Sequence, residues 1–176
     1  NFVSKDFSIT AKPITVTAIT DTKIYDGNTN STGTPSITSG SLVGTDTSTW
    51  TQAFDNKNAG TLHNLVPQGN VSDGNGGNNY SVTFINDTTG VITAKPITVT
   101  ADAGQTKVYG EIDPAFTYTN TSLIGSDTFT GLLGRAAGQN KGAYAINQGT
   151  LDAGSNYAIN FVSKDFSITA KPITVT

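Results

Sequence analysis

The phrase Ile-Thr-Ala-Lys-Pro-Ile-Thr-Val-Thr occurs three times, at 9–17, 92–100 and 168–176. The offsets are 83 residues (92 − 9) and 76 residues (168 − 92), together 159. That longer period recurs independently, because the segment NFVSKDFSITAKPITVT at 1–17 returns unchanged at 160–176. Recurrence at a fixed long period constrains a chain more than any local propensity, since each copy must serve as one supersecondary unit stacked on its neighbours. The chain therefore reads as one full period of a tandem array preceded by the tail of another unit.

Within the phrase, Ile9, Ala11, Ile14 and Val16 alternate with Thr10, Thr15 and Thr17. Alternation of β-branched residues with period 2 signals a strand. Pro13 cannot donate to a sheet ladder and belongs at a strand end or edge. Lys12 before it is biased towards extended backbone. The phrase is thus the last strand of one unit running into the first strand of the next. No Gly/Ser linker separates them, which predicts a short, stiff, extended joint there and at Lys95-Pro96 and Lys171-Pro172.

Composition narrows the class. Charged residues make up 13% with a net charge of −3, which speaks against nucleic acid as a partner. The chain has no Cys and no Met, so no disulfide framework supports it. No run reaches the roughly 18 apolar residues of a membrane span. Thr favours strands, whereas Gly and Asn favour turns. An all-β, extracellular or cell-surface protein is expected.

In chain order, 1–13 reads as the C-terminal strands of a preceding unit, with strands at Phe2–Val3 and Phe7–Ala11. A first whole unit spans 14–96, a second 97–172, and 173–176 opens another. In the first unit, strands are predicted at 14–17, 34–38, 47–54, 62–66, 80–85 and 91–94, with a loop over 72–79 and a turn at 86–90. In the second they are predicted at 115–120, 142–147, 157–162 and 166–170. The one helical candidate is 126–133, with Ser126 or Asp127 as N-cap.

The two units share an ordered set of motifs. Thr22-Lys-Ile-Tyr25 matches Thr106-Lys-Val-Tyr109, Ser41-Leu-Val-Gly-Thr-Asp-Thr47 matches Ser122-Leu-Ile-Gly-Ser-Asp-Thr128, and Gly77-Asn-Asn-Tyr80 matches Gly154-Ser-Asn-Tyr157. Residues at matching positions (Tyr25, Tyr109, Tyr80, Tyr157, Phe84, Phe161, Ile92 and Ile168) form the predicted cores. Tyr80 and Tyr157, each after Gly/Asn turn residues, have the setting of a tyrosine corner. Trp50 is either a core anchor or an exposed residue for stacking on sugars.

The Tyr25-Asp-Gly27 motif, with Asn56-Lys-Asn-Ala-Gly60 and Asn79-Tyr80, resembles the YDG domain. Tyr109-Gly-Glu111, Asp113-Pro114, Gly142-Ala-Tyr144 and Asn156-Tyr157 resemble the MBG domain of YGX type. The resemblance implies repeated modules of large bacterial surface adhesins or haemagglutinin-like proteins, with no enzymatic activity.

Residues that could carry chemistry are few. His63 is the only His, so a His-dependent triad would have to use it, and its alternating segment reads as a strand-surface position. Glu111 is the only Glu. Asp26, Asp46, Asp55 and Asp113 fall at turns, where Asp bonds backbone N–H groups. The loop at 73–79 lacks the calcium-loop pattern, and Gly74 and Gly76 read better as positive-φ turn formers. A Lys–Asn isopeptide cross-link stays open.

These readings give an all-β fold of two small, end-to-end, Ig-like β-sandwich units. The alternative is a β-grasp-like unit with one short helix. The function reading is a structural tandem-repeat segment of an adhesin stalk or extracellular filament, not an enzyme, with no catalytic, cofactor-binding or metal residues. The alternative is a mucin- or glycan-binding module acting by avidity. Expected partners are neighbouring repeats, further copies of itself head to tail, and a host or surface glycan. No nucleic acid, membrane span or cofactor is expected, calcium being weighed and set aside.

Overall fold

A computed structural model describes residues 5–175 as an all-β protein with no helix among them. The chain divides into two compact units, one of Asn1–Ile24 with Asn28–Thr93, the other of Tyr25–Gly27 with Ala94–Thr176.

The first unit holds β1 (Lys12–Thr17), β2 (Thr22–Ile24), β3 (Ser36–Ser39), β4 (Thr47–Phe54), β5 (Gly60–Ser72), β6 (Tyr80–Ile85) and β7 (Asp87–Thr93). They form a three-stranded sheet, β3-β1-β6, and a four-stranded sheet, β2-β7-β5-β4. The second unit repeats the plan with β8 (Lys95–Ala101), β9 (Thr106–Val108), β10 (Tyr118–Asn120), β11 (Gly134–Arg135), β12 (Gly142–Asn147), β13 (Tyr157–Val162) and β14 (Asp165–Thr169). Its sheets are β10-β8-β13 and β11-β12-β14-β9.

The shared phrase opens both units in the same way. In β1, Ile14 and Val16 point into the core; in β8, Ile97 and Val99 do. Each opening strand pairs in parallel with the strand that follows a Gly/Asn turn, Lys12 opposite Tyr80 and Lys95 opposite Tyr157. The prolines are tolerated because of where the ladders end. Opposite its parallel partner, β8 pairs β10 only from Val99 to Ala101, and β1 pairs β3 only from Thr15 to Thr17. Pro13 and Pro96 therefore sit where a strand has one neighbour, and the missing N–H interrupts nothing.

The core lies between the sheets. In the second unit Val99 and Ala101 of the small sheet meet Ile146, Phe166 and Ile168 of the larger one, with Leu133 and Leu151 from the loops. In the first, Ile14 and Tyr80 meet Val71, with Ile37, Leu42, Trp50 and Val82 packed around them. Trp50 is half-buried, edge-on to Phe84 with ring centroids 5.8 Å apart.

Several sequence expectations need correcting. The 126–133 segment turns instead of coiling, with Asp127 N–H donating to Ile124 O at 3.0 Å. The glycines at 125 and 131 have φ of 56° and 73°, which a helix does not use. β5 runs 13 residues, past the expected 62–66, and β7 begins inside the expected turn. A break in the β5–β7 ladder near Thr61–His63 puts Leu62 at φ 61° with its side chain in solvent. Phe84 (39%) and Tyr109 (50%) are exposed, not core, and Tyr25 is buried within the second compact unit. The strand expected at Phe2–Val3 lies outside the described residues. The one expected at Phe7–Ala11 is irregular, as are residues 173–175.

Candidate functional site

The second unit concentrates charge around one carboxylate. β9 is too short to bury two apolar residues, and its central inward position is Lys107. The Lys107 Nζ lies 2.7 Å from Asp113 Oδ1 and donates to Gln139 Oε1 at 2.7 Å, with only 3% of its side chain exposed. Arg135, on β11, grips the same carboxylate with two parallel bonds, Nε to Oδ2 at 2.7 Å and Nη2 to Oδ1 at 3.0 Å. This forked geometry is the strong, orientationally specific form of the arginine–carboxylate pair. Nη1 donates to Ala136 O and Gly138 O, at 2.9 and 2.7 Å. The guanidinium also lies against the rings of Tyr144 and Phe166, at 5.1 and 5.4 Å from the centroids.

Paired hydrogen bonds from Arg135, then from Lys107, hold the Asp113 carboxyl down at about 2. The cluster is consequently a strut. It ties the loop after β9, the loop after β11 and the face of β14 into one rigid corner. Beside it is an open groove of about 580 Å³, lined by residues 113–116 and 132–139. Leu132 on its wall and Ile112 next to it are exposed. The groove offers apolar surface and backbone groups, while the guanidinium beneath is already engaged.

The first unit has a second buried polar group. His63, expected on a strand surface, is buried: Nδ1 is 2.7 Å from Asp55 Oδ1, and Phe54 packs edge-on against the ring. Burial pulls the Asp55 carboxyl up, but the His63 bond and the Asn64 and Asn56 N–H groups outweigh it and leave it lowered. His63 Nε2 is enclosed and has no hydrogen-bond partner. An Asp–His pair acts as a base through that outer nitrogen, and here that nitrogen is enclosed.

The remaining motif residues build loops. Asp73 accepts N–H bonds from Asn75 and Gly77 at 2.8 Å and from Asn79 at 2.9 Å. Gly74, Gly76 and Gly77 all have positive φ, so this loop is closed by its own carboxylate. Among the described residues, no group of three His, Cys, Asp or Glu side chains is placed to hold a metal ion.

The Ser-Leu-x-Gly-x-Asp motif is explained by the tyrosines. The Tyr80 hydroxyl accepts Val43 N–H at 2.8 Å and donates to Asp46 at 2.7 Å. The Tyr157 hydroxyl accepts Ile124 N–H at 2.8 Å and donates to Asp127 at 2.7 Å. In each unit a tyrosine at the start of a strand thus anchors a distant loop. Burial first, then the Asp127 bond, raises the Tyr157 hydroxyl above its ordinary range. Inside the second unit, Tyr25 also donates to Asp127, at 2.9 Å, and meets Tyr157 edge-on at 5.5 Å.

Of the residues that sequence singled out, Asp113 is an ion-pair centre and not a turn former. Lys107, Arg135 and Gln139 were missed. Lys107 and Arg135 lie on different strands, and Asp113 and Gln139 lie in the loops that follow them, so no single-strand pattern links the four and only the fold brings them together.

Two similar all-β units, each opened by the same strand and locked by the same tyrosine–aspartate anchor, define a tandem β-repeat protein. The chain carries a YDG domain, matched over residues 10–90, followed by an MBG domain of YGX type, matched over 97–167. Both domains are consistent with a repeat module of surface-adhesin type. Comparison with curated proteins and with solved structures found no match.

Proposed function

We propose that this chain is a structural tandem-repeat segment of a bacterial cell-surface adhesin, a spacer in an extracellular stalk or filament that projects other parts without chemistry of its own. The observation that carries this reading is the reuse of one opening strand. Ile14 and Val16, and 83 residues later Ile97 and Val99, are buried in the same register against the same kind of partner. A module made to be repeated has such interchangeable seams, and stability then comes from each unit and its neighbours. Trp50, half-buried with its ring edge-on to Phe84 and against the Ile14–Val71–Tyr80 core, supports the spacer reading through this packing role. The enclosed His63 Nε2 supports a role without catalysis.

A second reading, a mucin- or glycan-binding module, is favoured by the groove beside Asp113 and Leu132. Binding of the full chain to mucin and to a broad glycan panel separates the two. The spacer reading expects no saturable binding. Saturable binding that Leu132→Asp abolishes would replace it with the glycan reading.

A further inference from the structure

Asn75-Gly76, in the loop between β5 and β6, is the one Asn-Gly pair in the sequence. Both residues are exposed. An asparagine loses its amide when the backbone nitrogen of the next residue attacks the side-chain Cγ. That attack needs room at the next residue, an N–H there that is not already engaged, and a means of releasing its proton. The loop supplies all of these.

Room comes from Gly76, which has no Cβ and sits at φ 64°. The bonding of the loop leaves its nitrogen available. The N–H groups of Asn75, Gly77 and Asn79 donate to the Asp73 carboxylate, and that of Asn78 donates to Asn75 O at 3.3 Å. The Gly76 N–H between them has no partner among the described residues. Asn78 also eases the release of its proton. Besides the Asn78 N–H, the Asn78 Nδ2 donates to the Asn75 carbonyl, at 2.7 Å. That carbonyl belongs to the peptide group whose nitrogen is Gly76 N, so two donors on the oxygen draw electron density from the nitrogen. The Asn75 side chain is itself held over the loop, its Nδ2 donating to Asn79 Oδ1 at 3.1 Å.

We propose that Asn75 is a site of spontaneous deamidation, activated by Asn78 and with water as its only co-reactant. Gly76 N gives its proton to solvent base and bonds to Asn75 Cγ; the Cγ–Nδ2 bond breaks and the amide nitrogen leaves as ammonia. The cyclic imide then takes up one water. Opening at the side-chain carbonyl yields aspartate; opening at the backbone carbonyl yields isoaspartate, whose main chain is one methylene longer. Either product carries a new negative charge in the loop that Asp73 closes, and lacks the amide that bonded Asn79. The longer backbone of isoaspartate also draws Gly77 and Asn79 away from Asp73. Asn79 O accepts Lys12 N–H at 2.8 Å, and Tyr80 follows it opposite Lys12, so the change reaches the start of the β1–β6 ladder. The second unit is an internal control. Counting back from Tyr157 as from Tyr80, positions 75 and 76 correspond to Asp152 and Ala153, a pair with no amide to lose. The reaction therefore ages one unit of each period and spares the other.

The test incubates the full chain in mildly alkaline buffer without denaturant. Peptide mass mapping follows each Asn, enzymatic methylation specific for isoaspartate gives a second readout, and Trp50 fluorescence checks that the first unit stays folded. Asn75 is expected to convert at least about tenfold faster than Asn78, Asn79 or Asn156. Asn78→Ala, at an exposed position, removes the Nδ2 donor and is expected to slow conversion. In the converted chain the Lys12 and Tyr80 amides are expected to exchange faster with deuterium, and the Lys95 and Tyr157 amides at an unchanged rate. Three results overturn the proposal: an Asn75 that stays intact in the folded chain, conversion that appears only in urea, and an Asn78→Ala chain that converts as fast as the unaltered one. The first two show a loop that protects the amide, and the third removes the activating role of Asn78.

Discussion

The duplicated DFSIT segment permits a truncation experiment with its own control, Phe166→Ala against Phe7→Ala. The side chain and its immediate sequence are the same, and only burial differs. Truncating a buried Phe costs about 3–5 kcal/mol through lost transfer energy and the cavity left behind. The site lies at the upper part of that range, because Phe166 also loses an edge-on partner at 5.1 Å and a guanidinium at 5.4 Å. A unit of about 80 residues has only about 4–12 kcal/mol of stability in total at ordinary per-residue values. Phe166→Ala should therefore bring the second unit close to unfolding, while Phe7→Ala should change stability by less than about 0.5 kcal/mol. Urea denaturation is the assay. The single tryptophan, Trp50, reports the first unit and should be unaffected by either change. Hydrogen exchange of the 142–145 amides, on the stretch of β12 that pairs with β14, reports the second. A cost below about 1 kcal/mol for Phe166→Ala, or equal costs for the two, would refute the burial argument.

Other consequences follow from the same geometry. Tyr157→Phe keeps the ring and strips Ile124 N–H of its acceptor and Asp127 of a donor, for a loss of about 1–2 kcal/mol by urea denaturation. The Asp113 carboxyl sits at about 2 when folded against 3.8 ordinarily, so its stabilisation is fully present above about pH 4 and is lost as pH falls through about 2. The difference of 1.8 (3.8 − 2) is worth about 2.4 kcal/mol, and about 1 kcal/mol after allowing for a carboxylate one-third exposed. Acid titration of second-unit stability should show this loss, and Asp113→Asn should flatten it. Gly69→Ala should break the β4–β5 hairpin, since φ is 142° and an added Cβ would collide with Thr49 O; thermal melting followed by Trp50 fluorescence should show a large drop in the first unit alone.

Strands whose side chains alternate and whose ends carry Gly or Asn were legible in the sequence. Those at 47–54, 80–85, 142–147 and 157–162 lie where the pattern put them. The tyrosine anchors were legible too, because Tyr80 and Tyr157 follow matching turns. What the pattern hid was set by topology. Tyr25 and Tyr109 occupy matching positions, yet β9 stops at Val108, Tyr109 donates its N–H to Thr169 O, and Gly110 at φ 87° turns the chain outward. The inward position of β9 falls to Lys107, which sequence alone marks as surface. Its burial depends on Asp113 and Gln139, and Gln139, 32 residues away, reaches it only in the folded unit. His63 follows the same logic, since the interrupted β5–β7 ladder turns it inward onto Asp55.

The spacer role rests on one module adding its length each time it is repeated, and that is measurable. Chains built of one, two and three 159-residue periods can be compared by small-angle scattering. The account predicts a maximum dimension that grows by an equal increment with each period, with unchanged stability per unit. A maximum dimension that fails to grow with the number of periods would contradict it.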